Sequence, residues 1–450
     1  MKNRITVDFD AGKGAVRPLH GVNNGPKTVC FTCDTSALFR EAGIPFCRLH
    51  DTEYPFGSGA FVDIPCIFRD FDADPDDPAS YDFSQTDLYI QAILDVGAKP
   101  IYRLGVSIEH TPVKRFIYAP KDPEKWAAVC EHIVRHYNEG WKDGMHAGIE
   151  YWEIWNEPES GAMWIGTREQ YFELYETTAR RLKACFPSIK IGGYASCGFY
   201  ALTDNPKGET ELNPWQQLCQ SFVDWAEAFV PFCAERAIPL DFFSWHLYSE
   251  DPEKFAAHAR YVRALLDRCG MTATESILDE WNLSGEDMFV RMREAEGAAH
   301  ALAVLCRIQE NAVDVAAYYD AQPTMSYCGI FNLAPLAPTR AFYALRYWNT
   351  LYRLGTLAET AVQGNGLYAC GATDGARRVL AVSHYAPADE TVRVEVRGID
   401  RLTSYRVYAT DAAHENVLVS SGLMASDYPY IDFIAVGFSA FLIEISPAEA

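Results

Sequence analysis

From residue 46 to residue 320 the chain alternates short apolar runs with longer amphipathic stretches, and this rhythm leaves few folds open. Seven runs read as buried strands, at 46–51, 100–105, 151–157, 190–196, 242–248, 276–282 and 315–320, and a shorter one at 19–22 precedes them. Runs of this kind suit a parallel sheet, which is covered on both faces and so has no polar side. Between them lie patterns of helical period, at 35–42, 85–96, 123–139, 168–185, 215–236, 252–269 and 291–309, with a last one at 339–353. Eight strand–helix units in succession predict an α/β fold of the closed (β/α)8 kind, the TIM barrel. The competing architecture, an open doubly wound sheet, would carry a glycine-rich phosphate loop after its first strand. The segment His20-Gly21-Val22-Asn23-Asn24-Gly25-Pro26 lacks that glycine spacing.

After about residue 354 the character changes. Runs at 379–384, 391–396, 405–408 and 439–445 are β-branched, alternate in polarity and are separated by turn signals. They predict an accessory antiparallel β-sandwich. The strand-like stretch 5–9 precedes the barrel and is expected to join these strands. The expected division is a catalytic barrel over 16–350 and a discontinuous sandwich of 1–15 plus 351–450, packed rigidly because the junction is short.

Barrel sites lie at the C-terminal ends of the strands, so the polar residues that terminate the apolar runs are the informative ones. The run at 151–157 ends Trp152-Glu153-Ile154-Trp155-Asn156-Glu157-Pro158-Glu159. Alternation puts Glu153, Trp155 and Glu157 on one face, and Pro158 stops the strand. A lone Glu before Pro is an ordinary strand end. With indoles and an amide beside it, Glu157 reads instead as a general acid whose proton is held by apolar surroundings. The run at 276–282 ends Asp279-Glu280-Trp281-Asn282, which puts a second carboxylate, Glu280, across the mouth. Two facing carboxylates are the minimum apparatus for cleaving an acetal. By alternation Asp279 points to the opposite face. The run at 242–248 brings His246 and Tyr248 beside Glu280. The run at 46–51 brings Arg48, which could keep a nucleophile ionised, and His50 and Asp51, which could grip distal hydroxyls. Trp155, Trp281 and Tyr318, with Tyr319 and Asp320 next to it, are candidate sugar contacts. The plain alternatives are a surface carboxylate at Glu280, a core His and Tyr at His246 and Tyr248, a structural Arg–Glu pair at Arg48 and barrel packing at Tyr318 to Asp320.

Taken together, WxxWNEPE, WHLY and LDEWN, in that order and on those strands, resemble glycoside hydrolase clan A. HGVNNGP and RLHD narrow the resemblance to family 39, that of the β-xylosidases and α-L-iduronidases. It covers about residues 16 to 350, and the trailing sandwich matches the family architecture. The resemblance implies a retaining O-glycosyl hydrolase, with Glu157 as acid/base, Asn156 on the sugar 2-hydroxyl and Glu280 as nucleophile. It also implies His246 and Tyr248 beside the nucleophile, Arg48 as its buried counterion and His50 as a glycone ligand. The chain departs from the familiar xylosidases after RLHD. There Thr52-Glu53-Tyr54-Pro55-Phe56-Gly57 opens an aromatic segment reaching Phe71, which is expected to close one side of the mouth and favour exo action.

The net charge of −22, from 61 acidic and 39 basic residues, repels phosphate backbones and anionic leaflets. Nucleic acid and membrane are therefore excluded as expected partners. A small neutral oligosaccharide or glycoside is the expected one, and a homo-oligomer is left open. No cofactor and no metal is expected, because paired-His and CxxC spacings are missing. The 13 scattered cysteines and the apolar-poor N-terminus point to a cytoplasmic, reducing setting. Alternatives on the same site are an arabinosidase, galactosidase or glucosidase, an endo-acting enzyme, or a barrel that binds carbohydrate without cleaving it.

Overall fold

The computed structural model describes residues 3–27, 33–52, 60–109, 111–205, 211–323, 327–399 and 401–448. Strand β1 (Asn3–Ala15) opens the chain. Eight strands then close a parallel barrel in sequence order: β2 (Gly21–Asn23), β3 (Phe46–Arg48), β4 (Lys99–Leu104), β5 (Tyr151–Ile154), β6 (Lys190–Ser196), β7 (Phe242–Tyr248), β8 (Glu275–Asn282) and β9 (Val315–Tyr318). The last pairs back onto the first through Gly21–Ala317 and Val22–Tyr318. The (β/α)8 reading is thus the observed fold.

The helices follow from local chemistry. Thr167 and Gln170 form a capping box that starts the helix Arg168–Cys185, and Asn213 and Gln216 do the same for Pro214–Glu235. Each pair satisfies amide donors that a helix start leaves open. The helix Ala295–Glu310 is buried on almost every side. Its sequence explains why: Ala, Leu and Val fill most positions, and few polar residues, among them Glu296, Arg307 and Glu310, are left to reach water.

That helix is covered by the second sheet. A short hairpin, β10 (Phe331–Leu333) and β11 (Leu336–Pro338), precedes the final barrel helix Arg340–Leu354. Then come β12 (Thr356–Gln363), β13 (Leu367–Thr373), β14 (Arg378–His384), β15 (Glu390–Val396), β16 (Thr403–Thr410), β17 (Val417–Met424), β18 (Tyr430–Ala435) and β19 (Ser439–Pro447). They order as β17-β16-β19-β14-β13-β12-β1-β15-β18. β1 pairs antiparallel with β12 and parallel with β15, the one parallel pairing of this sheet among the described residues. Leu380 and Val382 face the sandwich core with Phe441 and Ile443. The alternate residues Val379, Ala381, Ala440 and Leu442 join the barrel's core instead. With side chains of period two buried on both faces, β14 and β19 lock the sandwich to the barrel, and Ser383 Oγ ties them further by donating to the Ala299 carbonyl at 2.6 Å.

Candidate active site

At the lower end of the barrel, Phe46, Ile101, Tyr151, Phe242, Ile277 and Val315 fill the interior as an apolar plug. At the upper end the interior is polar. Arg48, the last residue of β3, is fully buried, and its guanidinium organises everything around it. Its Nε and Nη2 each lie 2.7 Å from Glu153 Oε2 on β5. Nη1 donates to Glu280 Oε1 at 2.8 Å and to Asn23 Oδ1 at 3.1 Å. Nη2 donates to Asn156 Oδ1 at 2.6 Å, and Nε lies 2.9 Å from Asp279 Oδ2. A guanidinium only donates, so Oδ1 of Asn156 must face it and the amide NH2 is left for another partner.

Glu280 is 5% exposed. Besides Arg48, it accepts a hydrogen bond from the Tyr248 hydroxyl at 3.0 Å and lies 3.0 Å from His50 Nε2. Burial alone would raise its pKa, but the charges of His246, His50 and Arg48 outweigh burial and hold this carboxyl well below the usual range. His50 is in turn fixed by Asp51, 2.8 Å from its Nδ1. Burial works against the imidazolium, and the charges of Asp51 and Glu280 overcome it, which pushes His50 up to about 9. Asp51 accepts a second hydrogen bond from Tyr319 at 3.1 Å, and the Tyr319 ring meets His50 edge-on.

Glu157 faces Glu280 across His246. The imidazole Nδ1 is 2.8 Å from Glu157 Oε1 and 3.6 Å from Glu280 Oε2. Ligating atoms of all three side chains lie within 4.8 Å of one another. Among the described residues this is the one His/Asp/Glu group with spacing a metal could use. The hydrogen bond between the His246 imidazole and the Glu157 carboxylate also holds the group at that spacing. One carboxylate held ionised, and a second within reach that can give or take a proton, can do acid–base and nucleophilic work on a bond placed between them.

The structure brings Arg48, His50, Asp51, Asn156, Glu157, His246, Tyr248 and Glu280 together at one end of the barrel. It does not bring Trp155, Trp281 or Tyr318 there. Trp155 has no exposed surface and packs outward between Trp126 and Trp164. Trp281 packs outward against Phe255 and Tyr318. Nor do indoles flank Glu157, because Trp152 stacks on Tyr102. The reason is backbone geometry. β5 ends at Ile154, and Trp155 and Glu157 have φ of 72° and 46°, so strand alternation does not extend to them. In β8, Leu278 pairs with Trp245 but Glu280 pairs with His246, so Asp279 is an extra bulge residue. Asp279 therefore points inward beside Glu280 rather than to the opposite face. Burial and the charges of Glu153 and Glu280 raise its pKa well above normal against the pull of Arg48, while Arg48 holds Glu153 low despite burial.

Tyr319, rather than Tyr318, reaches the mouth. Glu153 was also legible, since an acid at an inward position of a buried strand demands a cation. Of the aromatic segment after RLHD, residues 53–59 lie outside the described residues. The described part, from Ala60, is packed into the core through Phe61, Val62, Ile64 and Ile67 and holds Arg103 through Asp63 at 2.5 Å.

A family model described as Glycosyl hydrolases family 39 matches residues 41–268. A β-xylosidase of Geobacillus stearothermophilus is 27% identical over 354 residues, covering 68% of this chain and 64% of the relative. A β-xylosidase of Caldicellulosiruptor saccharolyticus is 27% identical over 183 residues, 38% of this chain and 32% of the relative. The chain thus spans less than two thirds of the length of these relatives. Among solved structures, a glucosidase from Croceicoccus marinus superposes with a TM-score of 0.78 at 22% identity, covering 100% of this chain and 99% of that one. A monomeric β-xylosidase from Caulobacter crescentus CB15 gives 0.72 at 18% identity, covering 99% and 100%. At these identities the structural likeness speaks for the fold.

Proposed function

Because the chain belongs to glycosyl hydrolase family 39, we propose that it is a retaining, exo-acting glycosidase, with Glu280 as nucleophile and Glu157 as acid/base. The observation that carries this reading is the approach of the two carboxyl groups, whose oxygens come within 4.8 Å. Retaining sites hold their carboxyls about 5 to 5.5 Å apart, whereas inverting sites need about 6.5 to 9.5 Å to admit a water.

In the first step an ionised Glu280 oxygen attacks the anomeric carbon, and Glu157 protonates the departing oxygen. A covalent glycosyl ester and a free alcohol result. In the second step Glu157 takes a proton from water, whose oxygen displaces Glu280 and leaves the sugar with its original configuration. Arg48, His50 and Tyr248 hold the charge of Glu280 between turnovers. The amide NH2 of Asn156, freed by the Arg48 contact, is placed to donate to a sugar hydroxyl near the reacting carbon. The His50–Asp51–Tyr319 set is suited to the distal hydroxyls.

The substrate class we favour is a short neutral oligosaccharide or glycoside, with a β-xyloside first. The relatives' names and the acidic surface both support this. We place the protein in a reducing, cytoplasmic compartment because its 13 cysteines are scattered along the chain without the spacing of a disulfide framework. Among the described residues no helix is long and apolar enough to cross a membrane. A panel of nitrophenyl pentosides and hexosides, followed by a time course on a labelled oligosaccharide ladder, tests the proposal. The expected result is fastest turnover on a β-xyloside and release of one terminal unit at a time. Turnover of none of the panel would refute glycosidase action, and early mid-length fragments would refute exo action.

A further inference from the structure

Among the described residues, nine of the ten tryptophans are buried or half-buried, and Trp215, with 56% of its surface exposed, is the exception. Its place follows from the fold. The chain rises through β6 to the mouth, and the helix Pro214–Glu235 returns it to the lower end before β7, so that helix starts at the upper rim. The capping box of Asn213 and Gln216 fixes the start, and Trp215 falls in the first turn. Asn205 Nδ2 donates to the Gln216 carbonyl at 3.4 Å and ties the rim to it. The indole lies 6.1 Å from the ring of the half-buried Tyr200, tilted by 47°. The Tyr200 hydroxyl accepts from the Tyr248 amide at 3.1 Å, and the Tyr248 hydroxyl donates to Glu280 at 3.0 Å. An aromatic pair thus leads from the strand beside the nucleophile out to water.

The order of the strands says which part of a substrate would meet that pair. In the closed barrel β6 stands opposite β2. The groups suited to the distal hydroxyls lie on either side of β2: His50 and Asp51 follow β3, and Tyr319 follows β9. Glu157 follows β5, the neighbour of β6. A glycone held beside β2 therefore directs its leaving group toward the tops of β5 and β6, where Tyr200 and Trp215 stand. An indole is apolar over its face, and the C–H face of a pyranose is its natural complement. We propose that Trp215, backed by Tyr200, is the stacking platform for the sugar ring on the leaving-group side of the scissile bond. The inference rests on the reading of Glu157 as the acid that protonates the leaving oxygen. It adds a specificity: a glycoside whose leaving group is itself a sugar is favoured over one with a small alkyl leaving group.

The test compares two substrates with one glycone, a disaccharide and the matching methyl glycoside, for whichever sugar the protein turns over. Both leaving groups need protonation, so the two differ only in the ring that Trp215 would meet. In Trp215→Ala the ratio of kcat/KM, disaccharide over methyl glycoside, should fall about 5- to 10-fold, the order of one aromatic contact. The loss should sit mainly in KM. Trp215→Phe keeps a ring face and should keep most of the ratio. The side chain is exposed, so both variants are expected to fold. A ratio that Trp215→Ala leaves in place, whether both substrates lose equally or neither does, would overturn the proposal. So would a wild-type dimer that Trp215→Ala dissociates in sedimentation, since the indole would then be covered by a second copy. A parent protein that cleaves no glycoside would count against the glycosidase reading. A parent that cleaves both substrates, with an unmoved ratio in the variant, would count against the platform alone.

Discussion

The two ends of the barrel are built from the same eight strands on opposite rules. At the lower end six apolar side chains meet, with Tyr151 edge-on to Phe46 and inclined at 62° to Phe242. Their strands run in register and alternate as pleated strands must. At the upper end, Arg48, His50 and His246 are packed among Glu153, Asp279, Glu280 and Asp51. There the register slips, between Gly193 and Ser196, between Trp245 and His246 and between Leu278 and Trp281. Asp51, Trp155, Glu157 and Ala195 all have positive φ. The lower end is arranged to be stable. The upper end places charge in a buried space, and its strained backbone and bulges set the directions of individual side chains.

Breaking the upper end should abolish turnover while leaving the fold. Glu280→Ala is expected to lower kcat by about 10^4-fold or more on every substrate, since no other group supplies the covalent step. Glu157→Ala should lose about 10^2- to 10^4-fold on alkyl leaving groups and far less on nitrophenyl ones, which depart unprotonated. Equal losses across leaving groups in the two variants would reverse or erase the division of roles. Added azide should restore Glu157→Ala with retained configuration and Glu280→Ala with inverted configuration.

Arg48→Met tests whether the upper end is also structural. It strands Glu153, Asp279 and Glu280 without their shared cation, and breaking such a buried pairing costs about 3–5 kcal/mol. Denaturant unfolding would read that loss. In the fraction that remains folded, Glu280 loses a charge that holds it low, so the acidic limb of the rate profile should move to higher pH.

Phe242→Ala tests the lower end alone. Emptying the plug should cost about 3–5 kcal/mol, while kcat/KM measured well below the unfolding temperature stays near wild type. A matching loss of activity would mean that the two ends are not separable.

The smallest effect is expected at Asp320, a buried acid under the mouth. Burial pushes it up to about 8 although Asn24 donates to it at 3.0 Å. A carboxyl whose folded pKa is raised costs stability as pH climbs from its unfolded value through its folded one, because only the unfolded chain ionises it there. Asp320→Asn should therefore gain unfolding temperature over wild type by a few degrees more at about pH 8 than at about pH 5. An equal difference at both pH values would show that Asp320 is ionised in the fold.

The same contrast explains what could be read from the chain. The alternation of runs and helical patterns was enough for the closed barrel. Lys190–Ser196 and Phe242–Tyr248 even coincide with the predicted spans. Where prediction went astray, it overran the strand tops. The expected strands 46–51, 151–157 and 315–320 end in the structure at Arg48, Ile154 and Tyr318. Counting by twos past Ile154 sent Trp155 inward, and counting through the bulge in β8 sent Asp279 outward. A bulge leaves no mark in composition, so Asp279 had no signal. Glu157 and Glu280 were legible because each ends an apolar run within a motif of indoles and amides, on strands that face each other across the mouth.

Trapping the intermediate tests the account most directly. A 2-deoxy-2-fluoro glycoside with a good leaving group, made for whichever sugar the panel selects, should inactivate the enzyme in a single turnover. Proteolysis and mass spectrometry should then find one fluoroglycosyl group, esterified to Glu280. A label on Glu157, Asp279 or any other carboxyl, or steady turnover with inverted product and no label, would contradict it.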